Sequence, residues 1–340
     1  MIYPKISIIT PSYNQGDFLE DGILSVISQQ YPNLEYILID GGSTDNSPEI
    51  IRKYAGYFNY WICEPDKGQS DAINKGLAKA TGEIINWLNA DDCYEPQALF
   101  KIAHYFQETR AKVVCGRCRV FKNPNILSHI SPGTDIYPEN LAKTIGWART
   151  DQPATFYHRE AIEKMGYLDV HLHYLMDRDW WVKYLFQFGL EAIHRTDDIL
   201  VSFRLHQQSK TVSQQKRFAL DRDSYYVALA KMHNLENYRQ FLEDNALIIR
   251  DYQIQDLALQ DITLIKRILN YYCLLKSEEH YAQSQHRQAQ IYLDFLDPKL
   301  LSEEDRSLWK KIYWRNKYLP GQLVRLLRRV KKLIPQSANH

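Results

Sequence analysis

The apolar run Glu83–Leu88 stops abruptly at Asn89-Ala90-Asp91-Asp92, and this junction constrains the fold more than any other segment of the chain. A stretch that scarcely alternates in polarity suits a strand covered on both faces, as in the parallel sheet of an α/β protein. Carboxylates at the C-terminal end of such a strand lie on the rim of the sheet. There, open α/β sheets bind ligands, and a hard divalent cation can be held against a phosphate. An Asp pair also caps helices, and Pro96 opens one soon afterwards, so the pair alone does not separate the two roles.

The segments before it supply the rest of the sheet. Lys5–Asn14 reads as a strand ending in a polar turn, and a helix is expected from Asp17, with Glu20 completing a capping box. A second strand, Tyr36–Asp40, runs into Gly41-Gly42-Ser43-Thr44-Asp45, and Pro48 begins the next helix. After Trp61–Gly68 a helix is expected over Ser70–Ala80, with Ala72, Ile73, Gly76, Leu77 and Ala80 on one face. Strands alternate with helices and polar loops follow the strands. The pattern predicts an α/β fold: an open, mostly parallel twisted sheet flanked by helices, with its ligand beyond the strand ends.

Four ordered motifs, Thr10-Pro11-Ser12-Tyr13-Asn14, Asp40-Gly-Gly-Ser-Thr-Asp45, Asp66-Lys67-Gly68 and Asn89-Ala-Asp91-Asp92, resemble glycosyltransferase family 2, whose nucleotide-sugar domain has the GT-A fold. The resemblance covers residues 5 to about 211. It implies that Pro11, Tyr13 and Asn14 line a nucleotide pocket, that Asp40 contacts the base, and that Asp66 lies beside base or ribose. Asn89 stands where the family's Asp-x-Asp metal motif has its first Asp and Asp91 where it has its last, implying a Mn or Mg cofactor with Asp92 a weaker ligand candidate. The implied donor is a nucleoside diphosphate sugar, UDP being the commonest nucleotide. Physically, short loops can solvate a diphosphate with backbone amides while a carboxylate-bound cation neutralises the leaving phosphate, so no lysine-rich cradle is required. Gly41–Ser43 also fits an ordinary turn, and Lys67 either a diphosphate contact or a solvated loop charge.

A base for the acceptor must come from further along. Tyr174–Lys183 places Asp177 and Asp179 at the start of an aromatic helix, whose N-terminus favours anions. The segment resembles the family's Glu-Asp motif, with Met176 in place of the Glu and Asp177 matching the catalytic base; a helix-capping role for Asp177 stays open. Asp179 lies about 200° around the helix from Asp177, so one faces the site and the other a structural partner. Gln152, Thr155, Arg159, Asp179 and Trp180 are assigned to the acceptor side, with Trp147 and Trp181 further aromatic candidates for stacking or for the core. In Ser202–Thr211, which resembles the end of the family's catalytic domain, His206 is a second metal-ligand candidate beside Asp91, or a structural His, and Arg204 a diphosphate contact or a loop clamp.

The 340 residues, 45% of them hydrophobic, suffice for one large domain and an appendage. The net charge of +1 gives no support for nucleic acid as a general partner. The five cysteines form no disulfide framework, and Cys115-x-x-Cys118 has no second pair, so buried thiols are expected. No secretory signal or membrane-length apolar run is visible, which points to the cytoplasm. The expected catalytic domain is 1–211, with a donor half to about 110 and an acceptor half after it; 212–340 reads as helical. From Arg306 to His340 there are ten Lys or Arg and no Asp or Glu, and residues 319–335 carry a basic amphipathic pattern. That pattern suits the inner membrane surface, as does a glycan or lipid-linked acceptor in cell-surface polysaccharide synthesis, and packing on protein is the competing reading. Two other functions fit parts of the chain. A nucleotidyltransferase would want a Gly-rich basic phosphate loop that the Thr10–Asn14 turn lacks, and a noncatalytic sugar-nucleotide sensor or assembly protein would not need Asp91, Asp177 and His206.

Overall fold

The computed structural model describes residues 3–123, 126–147, 149–254 and 261–318, so the amphipathic pattern at 319–335 lies outside the described residues. The chain divides into two compact units. The first comprises residues 1–141, 148–225 and 246–258, and the second 142–147, 226–245 and 259–340. The first therefore runs beyond Thr211, and a short internal helix is assigned to the second.

The first unit is built on a nine-stranded sheet. Its leading half contains β1 (Ile6–Ser12), α1 (Gly16–Ile27), β2 (Leu34–Asp40), α2 (Ser47–Lys53), β3 (Tyr60–Cys63), α3 (Gln69–Leu77) and β4 (Ile84–Trp87). β3, β2, β1 and β4 lie side by side and all pair in parallel. β1 and β4 are buried along their whole length, as the unbroken apolar runs require. Right-handed strand-helix-strand connections put the ends of β1, β2 and β4 on one edge of the sheet.

β5 (Cys93–Tyr94), α4 (Ala98–Glu108), β6 (Val113–Asn123), β7 (Ile126–Ile130), β8 (Thr155–His158), α6 (Arg159–Met165), α7 (Met176–Phe188) and β9 (Ile193–Arg204) follow, with α5 (Leu141–Trp147) inserted before β8. Here the sheet becomes mixed: β8 runs antiparallel between β4 and β6, while β6 and β9 pair in parallel. The mixed edge brings residues 149–153 and the start of α7 towards the rim carrying Asp91.

The entry to α1 differs from the sequence expectation. Gln15 occupies the N-cap position without a side-chain bond, and the Gly16 N–H is instead met by the Asp45 carboxylate at 2.9 Å. Glu20 is not a capping-box partner; it pairs with Lys53 and accepts from the Tyr54 hydroxyl. A carboxylate from a neighbouring loop has displaced the local cap. Further along α1, Gly22 lets the helix press against the Asp-rich turn: a Cβ there would sit 2.9 Å from the Ala90 carbonyl oxygen.

The second unit is helical. It contains α5, the end of α9 (Gln215–Met232) from Tyr226 on, α10 (Glu236–Asn245), α11 (Ile262–Ala282), α12 (His286–Phe295) and α13 (Glu303–Tyr318); the four-residue α8 (Lys210–Ser213) belongs to the first unit. Tyr226 stacks on Tyr272 at 3.7 Å, and Lys143 forms a buried ion pair with Asp305 at 2.5 Å. The helical reading of the chain after residue 212 corresponds to α9–α13 among the described residues, with a non-helical stretch at 246–254. Among the described residues no helix is long and apolar enough to cross a membrane.

Candidate active site

A cavity of about 1110 Å³ opens at the strand ends of the first unit. Pro11 and Tyr13 reach it from the end of β1, Gly41 and Gly42 from the loop after β2, and Asp66 and Gln69 from the turn into α3. Asn89 and Asp91 follow β4, Arg149–Gln152 precede β8, and Asp177 comes from the first turn of α7. Residues 208–211, leading into α8, close the ring with Lys210. Tyr13 is 60% exposed, so a large ring face is free to meet a planar ligand.

The turn after β4 splits its two carboxylates. Asp91 faces the cavity, and its Oδ2 lies 2.9 Å from His206 Nε2. The His206 ring packs on Phe18, with centroids 4.3 Å apart. Asp92 points the other way and is completely buried. It accepts the Arg204 backbone N–H at 3.1 Å, and burial, then the neighbouring charge of Asp91, pushes its carboxyl far up. Asp92 therefore holds the turn from inside. Arg204 acts as the clamp: its guanidinium donates to the Asp91 carbonyl oxygen at 3.1 Å and to Asp21 at 2.9 Å.

The carboxylates of α7 part in the same manner. Leu175 occupies the N-cap position, and Asp177 lies inside the first turn, accepting the Arg178 N–H at 2.8 Å. Its carboxyl keeps some surface open to the cavity but is ringed by protein, and burial raises its pKa against the opposing pull of Arg178 and Lys210. Asp179 is fully enclosed, paired with Lys183 at 2.8 Å and bonded by Tyr225 at 3.2 Å. Of the acceptor-side candidates, only Gln152 lines the cavity, donating from Nε2 to the Trp87 carbonyl at 2.9 Å.

Asp179 has a structural cation, so it is unavailable to a ligand. Trp180 is buried between Trp87 and Tyr157, at 5.2 and 5.0 Å between centroids, and Trp181 is buried as well. Arg159 donates to the carbonyls of Gly82 and Ala80, tying the start of α6 to the turn before β4. Each lies near the expected segment in sequence, but the helix or strand turns it away from the cavity.

On the donor side, Asp40 is buried and accepts from the N–H groups of Gly42 and Ser43 and from the Ser43 hydroxyl, the last at 2.6 Å. It shapes the loop that lines the cavity and is not itself part of the lining. Asn14 does the same: its side-chain oxygen accepts the Thr44 N–H at 2.9 Å. Lys67 is exposed and lies outside the lining. Asp66 does line it, with the Gly68 N–H bonded at 2.7 Å and burial raising its carboxyl pKa.

Two residues passed over in the sequence complete the ring. Gln69 donates to the Asn89 side-chain oxygen at 2.8 Å, and Lys210 Nζ donates to Gln69 Oε1 at 2.9 Å. Lys210 also feels the charges of Asp177 and Asp66. Gln69 directly follows the Asp66-Lys67-Gly68 motif, and Lys210 belongs to the Ser202–Thr211 segment, so both signals were within segments already marked. Gly68 makes the sharp entry to α3 with φ +109, a conformation that side chains resist.

Comparison with known proteins agrees with this geometry. Residues 7–166 match the profile of Glycosyl transferase family 2. An uncharacterised glycosyltransferase of Nostoc sp. is 32% identical over 174 residues, spanning 48% of this chain and 54% of that protein. The poly-beta-1,6-N-acetyl-D-glucosamine synthase of Staphylococcus epidermidis is 27% identical over 215 residues, 59% of this chain and 45% of that one. The chain thus spans about half the length of these two relatives. The crystal structure of S. aureus TarS 1-349 in complex with UDP-GlcNAc superimposes with a TM-score of 0.56 at 15% identity, covering 92% of this chain and 89% of that one, a likeness of fold. The first unit has the GT-A fold, and residues 7–166 within it resemble glycosyl transferase family 2.

Proposed function

We propose that the chain transfers one sugar, with inversion, from a UDP-sugar to a glycan or lipid-linked acceptor on the cytoplasmic side of a membrane, in the synthesis of a cell-surface polysaccharide. The observation that carries this reading is the convergence of Asp91, backed by His206, and of Asp177 on one cavity at the strand ends. UDP is favoured by the sugar nucleotide bound to TarS, and a glycan acceptor by the polymer for which the Staphylococcus epidermidis relative is named.

A divalent cation fits the residues present. Among the described residues no group of three or more His, Cys, Asp or Glu could enclose a metal. A hard cation that shares a diphosphate, however, needs only one or two protein ligands, the remainder being phosphate oxygens and water. Asp91 Oδ2 and His206 Nε2, 2.9 Å apart, offer one oxygen and one nitrogen, which Mn or Mg accepts. Bound there, the cation would neutralise charge developing on the departing diphosphate.

The remaining work falls to the chain's own side chains. Tyr13 and Pro11 form the wall for the nucleotide, with Asp66 a hydrogen-bond acceptor beside it. Asp177 takes the proton from the acceptor hydroxyl as its oxygen bonds to the anomeric carbon. The bond from that carbon to the diphosphate breaks, its electron pair leaving with the nucleotide. Lys210 attracts both the donor's negative charge and the Asp177 carboxylate, favouring the ionised base while the site is occupied. Gln152 and the Arg149 segment stand on the acceptor side.

The direct test is thermal-shift stabilisation by UDP, GDP and dTDP and their common sugars, each with Mn, with Mg and with chelator. UDP ligands should raise the midpoint only when metal is present. Stabilisation by GDP or dTDP alone would overturn the nucleotide assignment, and stabilisation unaffected by chelator would overturn the metal site.

A further inference from the structure

α13 turns one face to its own helical unit. Ile312 is buried, Trp309 Nε1 donates to the Leu293 carbonyl at 3.2 Å, and Asn316 Nδ2 donates to the His286 carbonyl at 2.8 Å. Helical spacing then leaves Ser307, Lys310, Lys311, Trp314, Lys317 and Tyr318 on the other side, all exposed. Trp314 is 57% and Tyr318 59% exposed, large rings for an open helix face, and their centroids lie 5.7 Å apart. Lys317 Nζ lies 5.8 Å from the Tyr318 ring and donates to the Tyr313 hydroxyl at 3.1 Å, so its charge is held among the aromatics.

Acids meet this stripe only at its start, where Glu303 and Glu304 are exposed on the same side of the helix. The helix's carboxylates, Glu303, Glu304 and Asp305, are confined to its first turn, and none follows in the sequence to His340. Beyond Tyr318 the sequence adds Arg325, Arg328, Arg329, Lys331 and Lys332, extending the same charge. Rings with an apolar body and a polar edge, flanked by long cationic stems, match a surface that offers phosphates immediately above an apolar layer. A bilayer with anionic headgroups has that depth profile; a soluble acidic protein or a nucleic acid has phosphates or carboxylates without the apolar layer beneath them.

We infer that the exposed stripe of α13 is a docking surface for an anionic lipid bilayer, engaged through Lys310, Lys311 and Lys317 at the headgroups and Trp314 and Tyr318 at the boundary below. The inference does not rest on the reading of the active site, and its test involves no turnover.

Vesicle flotation of the full chain provides that test, using phosphatidylcholine vesicles with and without phosphatidylglycerol, at low and high salt. Wild type should float with anionic vesicles, stay behind with neutral ones, and be released by salt. Lys310→Gln with Lys311→Gln should weaken partitioning roughly thirtyfold, two charges each worth about 1 kcal/mol at such a surface. Lys310→Arg with Lys311→Arg should float like wild type, and both pairs should melt like wild type because the residues are exposed. Trp314→Ala should weaken flotation without changing its salt dependence. Equal flotation with neutral vesicles would overturn the inference, and so would unchanged flotation of the Gln pair. Capture by a single-stranded oligonucleotide in preference to anionic vesicles would reassign the stripe and overturn it as well.

Discussion

Asp177 is the residue on which chemistry and stability pull apart. Burial raises its carboxyl pKa above the ordinary 3.8, so the folded chain keeps a proton that the unfolded chain has already lost. Stability therefore falls as pH rises from that ordinary value through the raised one, and near neutrality the ionised carboxylate weakens the fold. Asp177→Asn should remove this cost, leaving the melting temperature equal or higher at pH 7, while turnover drops by about 10²–10⁴ for want of a base. In the wild type, kcat/KM should decline with falling pH as Asp177 takes up its proton. Near-normal turnover in the variant would remove the residue from its role. The sequence showed that Asp177 and Asp179 must face different ways, because they stand two positions apart on a helix. It could not show which way either faced, since the deciding partners, Lys183 and Tyr225, are set by packing. Asp40 poses a related problem: an acid at a strand end reads as ligand-facing, and the N–H groups its own loop supplies have no local signature in the sequence.

At the scale of elements, the parallel half of the sheet was legible because each buried strand carries an uninterrupted apolar run and each polar loop follows a strand end. The antiparallel insertion of β8 and the path of β6 and β9 were not, because pairing between strands far apart in sequence leaves no periodic signature. One side chain binds the leading strands into a unit. Glu35, at the start of β2, accepts from Ser7 of β1 at 2.5 Å, from the Thr81 N–H and hydroxyl at 2.6 Å each, and pairs with Lys5. Burial works to raise its pKa, but these bonds outweigh it and bring the carboxyl down to about 2. A depressed carboxyl contributes stability above its unfolded value near 4.5, and that contribution is lost as pH falls from there to about 2. Glu35→Gln should accordingly destabilise the fold at pH 7, by an amount on the order of a few kcal/mol. The gap between variant and wild type should close in acid, as denaturant titrations at pH 7 and pH 3 would show; an equal gap at both would contradict the ionic role.

For the whole molecule, the sequence located the sheet-bearing unit through motifs that the fold brings to one rim, and it placed the helical composition after them. The reach of the first unit to Tyr225, and the assignment of residues 142–147 to the second, depend on contacts between distant segments and had no local signal. The proposed function requires that Asp91, with His206 behind it, bind a nucleotide sugar through a divalent cation in a cavity where Asp177 serves only the acceptor. Calorimetric titration of UDP, with Mn and with chelator, into wild type, Asp91→Asn and Asp177→Asn tests it most directly, because no acceptor is needed. The account predicts Mn-dependent binding that Asp177→Asn retains and Asp91→Asn weakens by about tenfold or more, at least about 1.4 kcal/mol. Equal, Mn-dependent affinity in wild type and Asp91→Asn would contradict it.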